Sequence, residues 1–369
     1  MTWFLLSLVL GAGILLRLSS LRDPLDADAG AHFYYAQHRR TTPQLHYNVI
    51  SGKPPGLYFI NCLVYDLLGK STVVVHGSLV IAHTLTSFFV FLVGREIGGD
   101  AVGLCAALMY GVTSAVPEFR SGFSHPENYL TLFSTIGIFI ALKGFPGGSS
   151  LLLFLSGLAM GMAYLCKQTG MLVFGLLMLW GTVVSIFHPA MEFHPWACAA
   201  LVCGFVVPPL LTLPLFASEG KKHLKNYSSN VLLQPVRAAV GKDSYVAQHY
   251  KKTIKEDLST ATKQFKVPLR ETLLVWLLAC AALPYASTTW GCFLFISLWS
   301  LIMIAAGLIQ RHYATHHFLP ALPGASLLAG HTLAGMVGTS SSISARRAAR
   351  RLGPGVPGTT WTNRAHLRL

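Results

Sequence analysis

Residues 3–16 read WFLLSLVLGAGILL, a stretch without a single charge, and shortly afterwards residues 26–37 read DADAGAHFYYAQ. Extended to residues 2–21, the first stretch is long enough to cross roughly 30 Å of hydrocarbon as a helix. It lacks a basic start and an A-x-A-like exit, so it reads as a retained anchor and not as a cleaved signal peptide. The second stretch puts two carboxylates where the chain leaves the bilayer. Acid is scarce here, with 14 Asp+Glu against 28 Lys+Arg in 369 residues, so each carboxylate asks for a reason.

The apolar pattern of the first stretch recurs along the chain. With 53% hydrophobic and 11% charged residues and a mean hydropathy of +0.53, the composition lies far from a soluble domain, in which about a quarter of residues are charged. About ten helical spans are expected, near 2–21, 71–94, 101–117, 128–143, 150–166, 170–187, 196–217, 272–287, 290–310 and 316–337. The fold class is therefore an all-α integral membrane protein. Several spans are short, and a re-entrant piece can replace one. The seven cysteines show no C-x-x-C and no Cys/His ligand spacing, which argues against disulfides and zinc sites.

Two long polar stretches, 22–70 and 218–270, each follow an odd number of spans, so both belong on one side of the membrane and can form one chamber. The tail motif SARRAARR at residues 344–351 falls on the other side with Arg95 and Lys143, and the positive-inside rule makes that side the cytoplasm. The lysines of 218–270 run against this assignment, in a loop near the length limit of the rule. They read either as a solvated surface or as a lipid-headgroup contact. The expected domain is 1–337, and the tail 338–369, rich in Gly, Pro, Ser, Thr and Arg, is expected to be disordered.

The opening acids thus sit at the outer surface. If residues 28–40 form a helix, Asp28, His32 and Tyr35 share one face while Ala29, Phe33 and Ala36 share another that can rest on an apolar surface. The plain alternative is an N-capping acid on a surface helix. Next comes KPPGLYFIN at residues 53–61. Each X-Pro step disfavours helix in the residue before it, so Lys53 is held extended, and a helix begins near Gly56. Leu57, Ile60, Val64 and Leu67 give that helix a stripe that would lie on the membrane and hold Lys53 at headgroup depth.

With these motifs in place the chain resembles the GT-C membrane glycosyltransferases of the protein O-mannosyltransferase and aminoarabinose-transferase type, over roughly residues 1–335. That family carries an acidic pair and G-x-x-x-Y-x-A in its first outer loop, and DAGAHFYYAQ aligns with Asp28 in the first acidic position. KPPGLYFIN, HPENYLTLF at residues 125–133, YLCKQTGMLVF around Lys167 and RHYATHHFLPALPGASLLAG from Arg311 also match, with His316 in the family's histidine position and His317 replacing a tyrosine. Ala29 stands where the family has Glu, and Ser51 and Gly52 stand where many members have an acid.

The resemblance implies transfer of a sugar from a polyprenyl-phosphate donor to a hydroxyl of a lipid or protein acceptor, with inversion, at the outer face of a bacterial inner membrane. Asp28 is the expected base, supported by Asp26, His32 and Glu127. Lys53 and Arg311 are the expected cations for the leaving phosphate, with His316 and Lys167 beside them. Glu127 also reads as a favourable acid at a helix start, Lys167 as a snorkelling lysine, and the histidines as interfacial. A divalent metal ion is compatible with this chemistry, but no pair has ligand spacing, so no metal ligand is assigned. No Gly-rich phosphate loop calls for a nucleotide, and no nucleic acid is expected as partner. The competing classes are a lipid or sugar transporter without chemistry and an envelope scaffold. Transport would ask for ionisable residues at mid-span and for repeated halves, and neither is evident.

Overall fold

The computed structural model describes residues 1–38, 54–119, 122–187, 195–217, 220–228, 269–282, 290–309 and 315–351, with 259, 262 and 266 singly. Among these there is no strand, and the helices are α1 (Thr2–Leu15), α2 (Ala27–His38), α3 (Gly56–Leu68), α4 (Thr72–Gly98), α5 (Asp100–Thr113), α6 (Pro126–Gly144), α7 (Ser150–Cys166), α8 (Gly170–Phe187), α9 (Pro195–Ala217), α10 (Lys221–Tyr227), α11 (Leu273–Cys280), α12 (Trp290–Ile309) and α13 (Leu322–Arg351). Each of the ten expected spans overlaps a helix. Four stretches, Thr2–Arg22, Thr72–Gly98, Trp196–Pro214 and Gly291–Leu308, are by themselves long and apolar enough to cross a membrane. Within the expected eighth span the described residues hold α11, eight residues long, and residues 283–287 lie outside the described residues.

α4 and α5 form an antiparallel pair across a turn in which Gly99 takes φ +85°, a left-handed value that costs glycine little. α4 packs on α5 and α6, α6 on α7, and α7 on both α8 and α9. The closest crossing joins α7 and α9. A Cβ on Gly157 or on Gly204 would strike the backbone of the facing helix, so only glycine lets these two helices approach so nearly. α13 packs on α5 in the same way, with Gly330 against Ala106. α1 leaves Leu8, Leu15 and Leu16 exposed on a flank that lipid would cover.

Charges collect at the two ends of this bundle. At one end Arg95 pairs with Asp100 at 3.1 Å and Lys143 pairs with Glu96, which ties the ends of α4 and α6 to the start of α5. The opposite end holds the starts of α2, α4 and α6 and the end of α7. Arg17, buried as α1 ends, donates to the carbonyl of Gly111 at 3.2 Å and to Ser114 Oγ at 2.6 Å, so its charge meets carbonyls left open at the C-terminus of α5.

The helix α13 runs on through Arg351, inside the stretch expected to be disordered from residue 338, and residues 352–369 lie outside the described residues. An established helix adds Ala and Arg, both strong helix formers, without a new nucleation cost. On α3 the buried face is Leu57, Tyr58, Asn61 and Tyr65. α3 presents this face to α2, α4 and α7, and Leu63, Leu67 and Leu68 are left on the exposed side.

Candidate functional site

Four separate segments bring polar side chains together at the end of the bundle marked by Arg17. The first is the entry into α2. Asp26 is the residue before the helix, and its Oδ1 accepts a hydrogen bond from the Ala29 amide at 2.8 Å, so Asp26 and not Asp28 caps the helix. The other carboxylate oxygen, Oδ2, lies 3.0 Å from Nε2 of His125. Asp28 falls in the first turn and faces outward, exposed. The face Ala29, Phe33 and Ala36 is buried as expected, with Phe33 against Tyr65 of α3 at a ring separation of 4.5 Å.

The second segment is the start of α6. Pro126 holds His125 extended at φ −96°, ψ 148°, and itself takes a first-turn position where no amide is needed. His125 is thereby the N-cap residue, itself buried, and Glu127 follows in the first turn, 1% exposed. A carboxylate so deep needs a cation, and it has one. Lys167, from the third segment at the end of α7, pairs with Glu127 Oε1. The fourth segment is the 3-10 turn Thr315–Ala321, where Nε2 of His316 and Nε2 of His317 lie 3.9 Å and 3.6 Å from the same oxygen. Glu127 Oε2 is buried and has no hydrogen-bond partner among the described residues.

Nearby, α3 abuts this end through the glycine of K-P-P-G. A Cβ on Gly56 would come within 2.6 Å of the Leu165 carbonyl carbon and oxygen, two residues before Lys167. Asn61, on the buried face of α3, accepts from Ser124 Oγ at 3.2 Å. Thus Asp26, Glu127, Lys167 and His316 are brought together. His32 lies in α2, half-buried, and Asp28 stands apart from the cluster. Lys53 and Arg311 lie outside the described residues.

His125 had no assigned role in the sequence reading, and His317 was read as replacing the family's tyrosine and as an interfacial residue, without a part in the site. The H-P-E order was the available signal for His125, since proline before an acid marks a helix start and orients the residue preceding it.

His125, Glu127 and His316 also offer ligand atoms within 4.8 Å of one another, a grouping that no spacing along the chain indicated. Its geometry suits an ammonium better than a divalent ion. The rings of His125 and His316 are stacked, 4.0 Å apart and 3° from parallel. The lone pairs of stacked imidazoles lie in parallel ring planes and do not converge on one point. Lys167 also engages the Glu127 oxygen. A metal held here would require a ring to turn and the ammonium to leave.

A family model described as dolichyl-phosphate-mannose-protein mannosyltransferase matches residues 52–212, less than half of the chain. Among solved structures, ArnT from Cupriavidus metallidurans in the apo state superposes with a TM-score of 0.61 at 17% identity, covering 89% of this chain. The chain has the GT-C glycosyltransferase fold. The same ArnT bound to undecaprenyl phosphate gives a TM-score of 0.60 at 16% identity. The Archaeoglobus fulgidus oligosaccharyltransferase in complex with Zn and sulfate gives 0.59 at 13% identity and covers 91% of this chain. This GT-C-fold chain spans 59% of the length of that ArnT and 51% of that oligosaccharyltransferase. No curated protein matches it in sequence.

Proposed function

We propose that the chain is a glycosyltransferase that moves a sugar from a polyprenyl-phosphate donor to the hydroxyl of a lipid or protein acceptor, with the site on the outer face of the membrane. The observation that carries this reading is the Asp26–His125 pair, set at the head of α6 beside the buried Glu127–Lys167 pair in a GT-C fold. ArnT with undecaprenyl phosphate and the Archaeoglobus fulgidus enzyme AglB with dolichol-phosphate supply the donor class by analogy.

Asp26 takes the part of general base that Asp28 has in the sequence reading. An acceptor O–H gives its proton to the Asp26 carboxylate as its oxygen bonds to the anomeric carbon, and the bond from that carbon to phosphate oxygen breaks. The electron pair leaves with the lipid phosphate, and a single displacement inverts the centre. His125 holds the Asp26 carboxylate in position. Glu127 Oε2 is an acceptor for a hydroxyl of the bound sugar or acceptor, while Lys167 keeps Glu127 charged. Lys53 and Arg311 remain the proposed cations for the departing phosphate. No step is assigned to a metal ion.

The test is direct. Purified protein in nanodiscs is incubated with a panel of radiolabelled polyprenyl-phosphate sugars, and label moving to any lipid or protein is measured. Absence of transfer with every donor, under conditions in which an ArnT is active, would shift the reading to a transporter or scaffold.

A further inference from the structure

α3 supplies no group to the chemistry above, yet it touches three of the four segments that build the site. Its Tyr65 meets Phe33 of α2, the helix that Asp26 caps. Its Gly56 lies against the backbone of Leu165 and Cys166, the two residues before Lys167, and an added Cβ would come within 2.8 Å of both. The third contact is made by Asn61, whose Oδ1 accepts from Ser124 Oγ at 3.2 Å in the turn that leads into α6. Ser124 directly precedes His125. The same turn is tied to α6 by Asn128, whose Nδ2 donates to the Phe123 carbonyl at 2.7 Å, and that carbonyl also accepts from the His125 amide at 2.8 Å. Those two bonds shape the turn. Its placement relative to α2, on which the approach of His125 to Asp26 depends, is left to contacts outside α6.

Asn61 is 1% exposed and Ser124 is fully buried, and the neighbours of Asn61 on the buried face of α3 include Leu57, Tyr58 and Tyr65. The other end of the Asn61 amide, Nδ2, is buried without a hydrogen-bond partner among the described residues. A buried donor left unpaired costs free energy, and replacing both members of a buried hydrogen bond by apolar groups of like shape is close to neutral or stabilising. Stability by itself would therefore accept a leucine facing an alanine at these two positions. What the polar pair adds is direction. An apolar contact permits sliding, whereas a hydroxyl bonded across to α3 has one place, and the next residue along the chain is His125.

We propose that Asn61 is a positioning residue: through Ser124 it fixes the cap of α6 to α3, the helix on which α2 is docked, so that His125 meets Asp26. The proposal rests on the reading of Asp26 as the base that His125 holds in place. α3 is then the common reference for both members of the pair, one docked on it through Phe33 and Tyr65 and the other through Ser124 and Asn61.

Asn61→Leu alone leaves the Ser124 hydroxyl buried and unpaired, so the deciding variant is the double, Asn61→Leu with Ser124→Ala, in which neither polar group remains. It is expected to melt at or above the wild-type temperature. Its kcat is expected to fall on the order of ten- to a hundred-fold with donor KM near wild type, as misplacement of reacting groups produces. A pair that serves folding only would give the opposite split, a lower melting temperature with transfer at the wild-type rate, and wild-type kcat would overturn the positioning role. A second measurement needs no transfer. In a background without native cysteines, Asp26→Cys and His125→Cys are joined by a short bifunctional thiol reagent, with and without the Asn61→Leu, Ser124→Ala pair. Cross-linking is expected to slow several-fold when the pair is removed, and an equal rate would overturn the proposal. Cross-linking that depends on Asn61 and Ser124 in a protein that transfers no sugar would uphold the positioning of the two segments and remove the reading of the reaction instead.

Discussion

Oδ2 of Asp26 lies 3.0 Å from Nε2 of His125, although the two residues stand far apart in sequence on different loops. The contact joins the acid that leaves the first span to the cap of α6, and Asp28 takes no part in it. Asp26→Asn keeps the cap, because asparagine accepts from an amide as aspartate does, but removes the base. Transfer at saturating donor is expected to fall by a factor of about 10² to 10⁴, with donor binding near wild type. Asp28→Asn is expected to turn over at close to the wild-type rate. The reverse ranking in purified variants would return the assignment to Asp28.

Lys167 and Glu127 form a buried pair, and removing one partner leaves the other charged without compensation. Lys167→Met should cost about 3–5 kcal/mol of stability, read as a lower melting temperature in detergent. The double variant Lys167→Met, Glu127→Gln should recover much of that loss, because no uncompensated charge remains. Equal melting temperatures for the single variant and the wild type would show that the pair does not matter to folding.

Gly157 and Gly204 set the α7–α9 crossing. Gly157→Val is expected to lose most of the folded yield, since a side chain there must push two backbones apart. Gly175 has nothing within 4 Å of an added Cβ, and Gly175→Ala is the expected neutral control. Fluorescence-detected gel filtration of the two variants, expressed in parallel, checks the contrast.

The direction of the bundle can be read by labelling. In a background without native cysteines, single cysteines at Asp28 and Lys221 should react with an impermeant maleimide from one side of the membrane. A cysteine at Gly147, between α6 and α7, should react only from the other. Labelling of positions 28 and 221 from opposite sides would break the shared chamber on which the proposed site depends.

What the sequence by itself determined was the order and rough extent of the helices. Long apolar runs can satisfy their backbone groups in hydrocarbon only as helices, and this holds whatever surrounds them. The same local logic exposed the helix start at K-P-P-G, because proline restricts its own residue and the one before it. Tertiary structure alone decided which of two acids two residues apart enters the site. The amphipathic pattern showed the apolar face Ala29, Phe33 and Ala36. It did not show that docking this face on α3 leaves Asp28 outside and turns Asp26, as the cap, toward His125. Nor did any spacing join His125, Glu127, Lys167 and His316. Their contacts come from three chain segments whose meeting depends on how glycine-lined helices cross, and pair geometry of that kind is not written in any one stretch of residues.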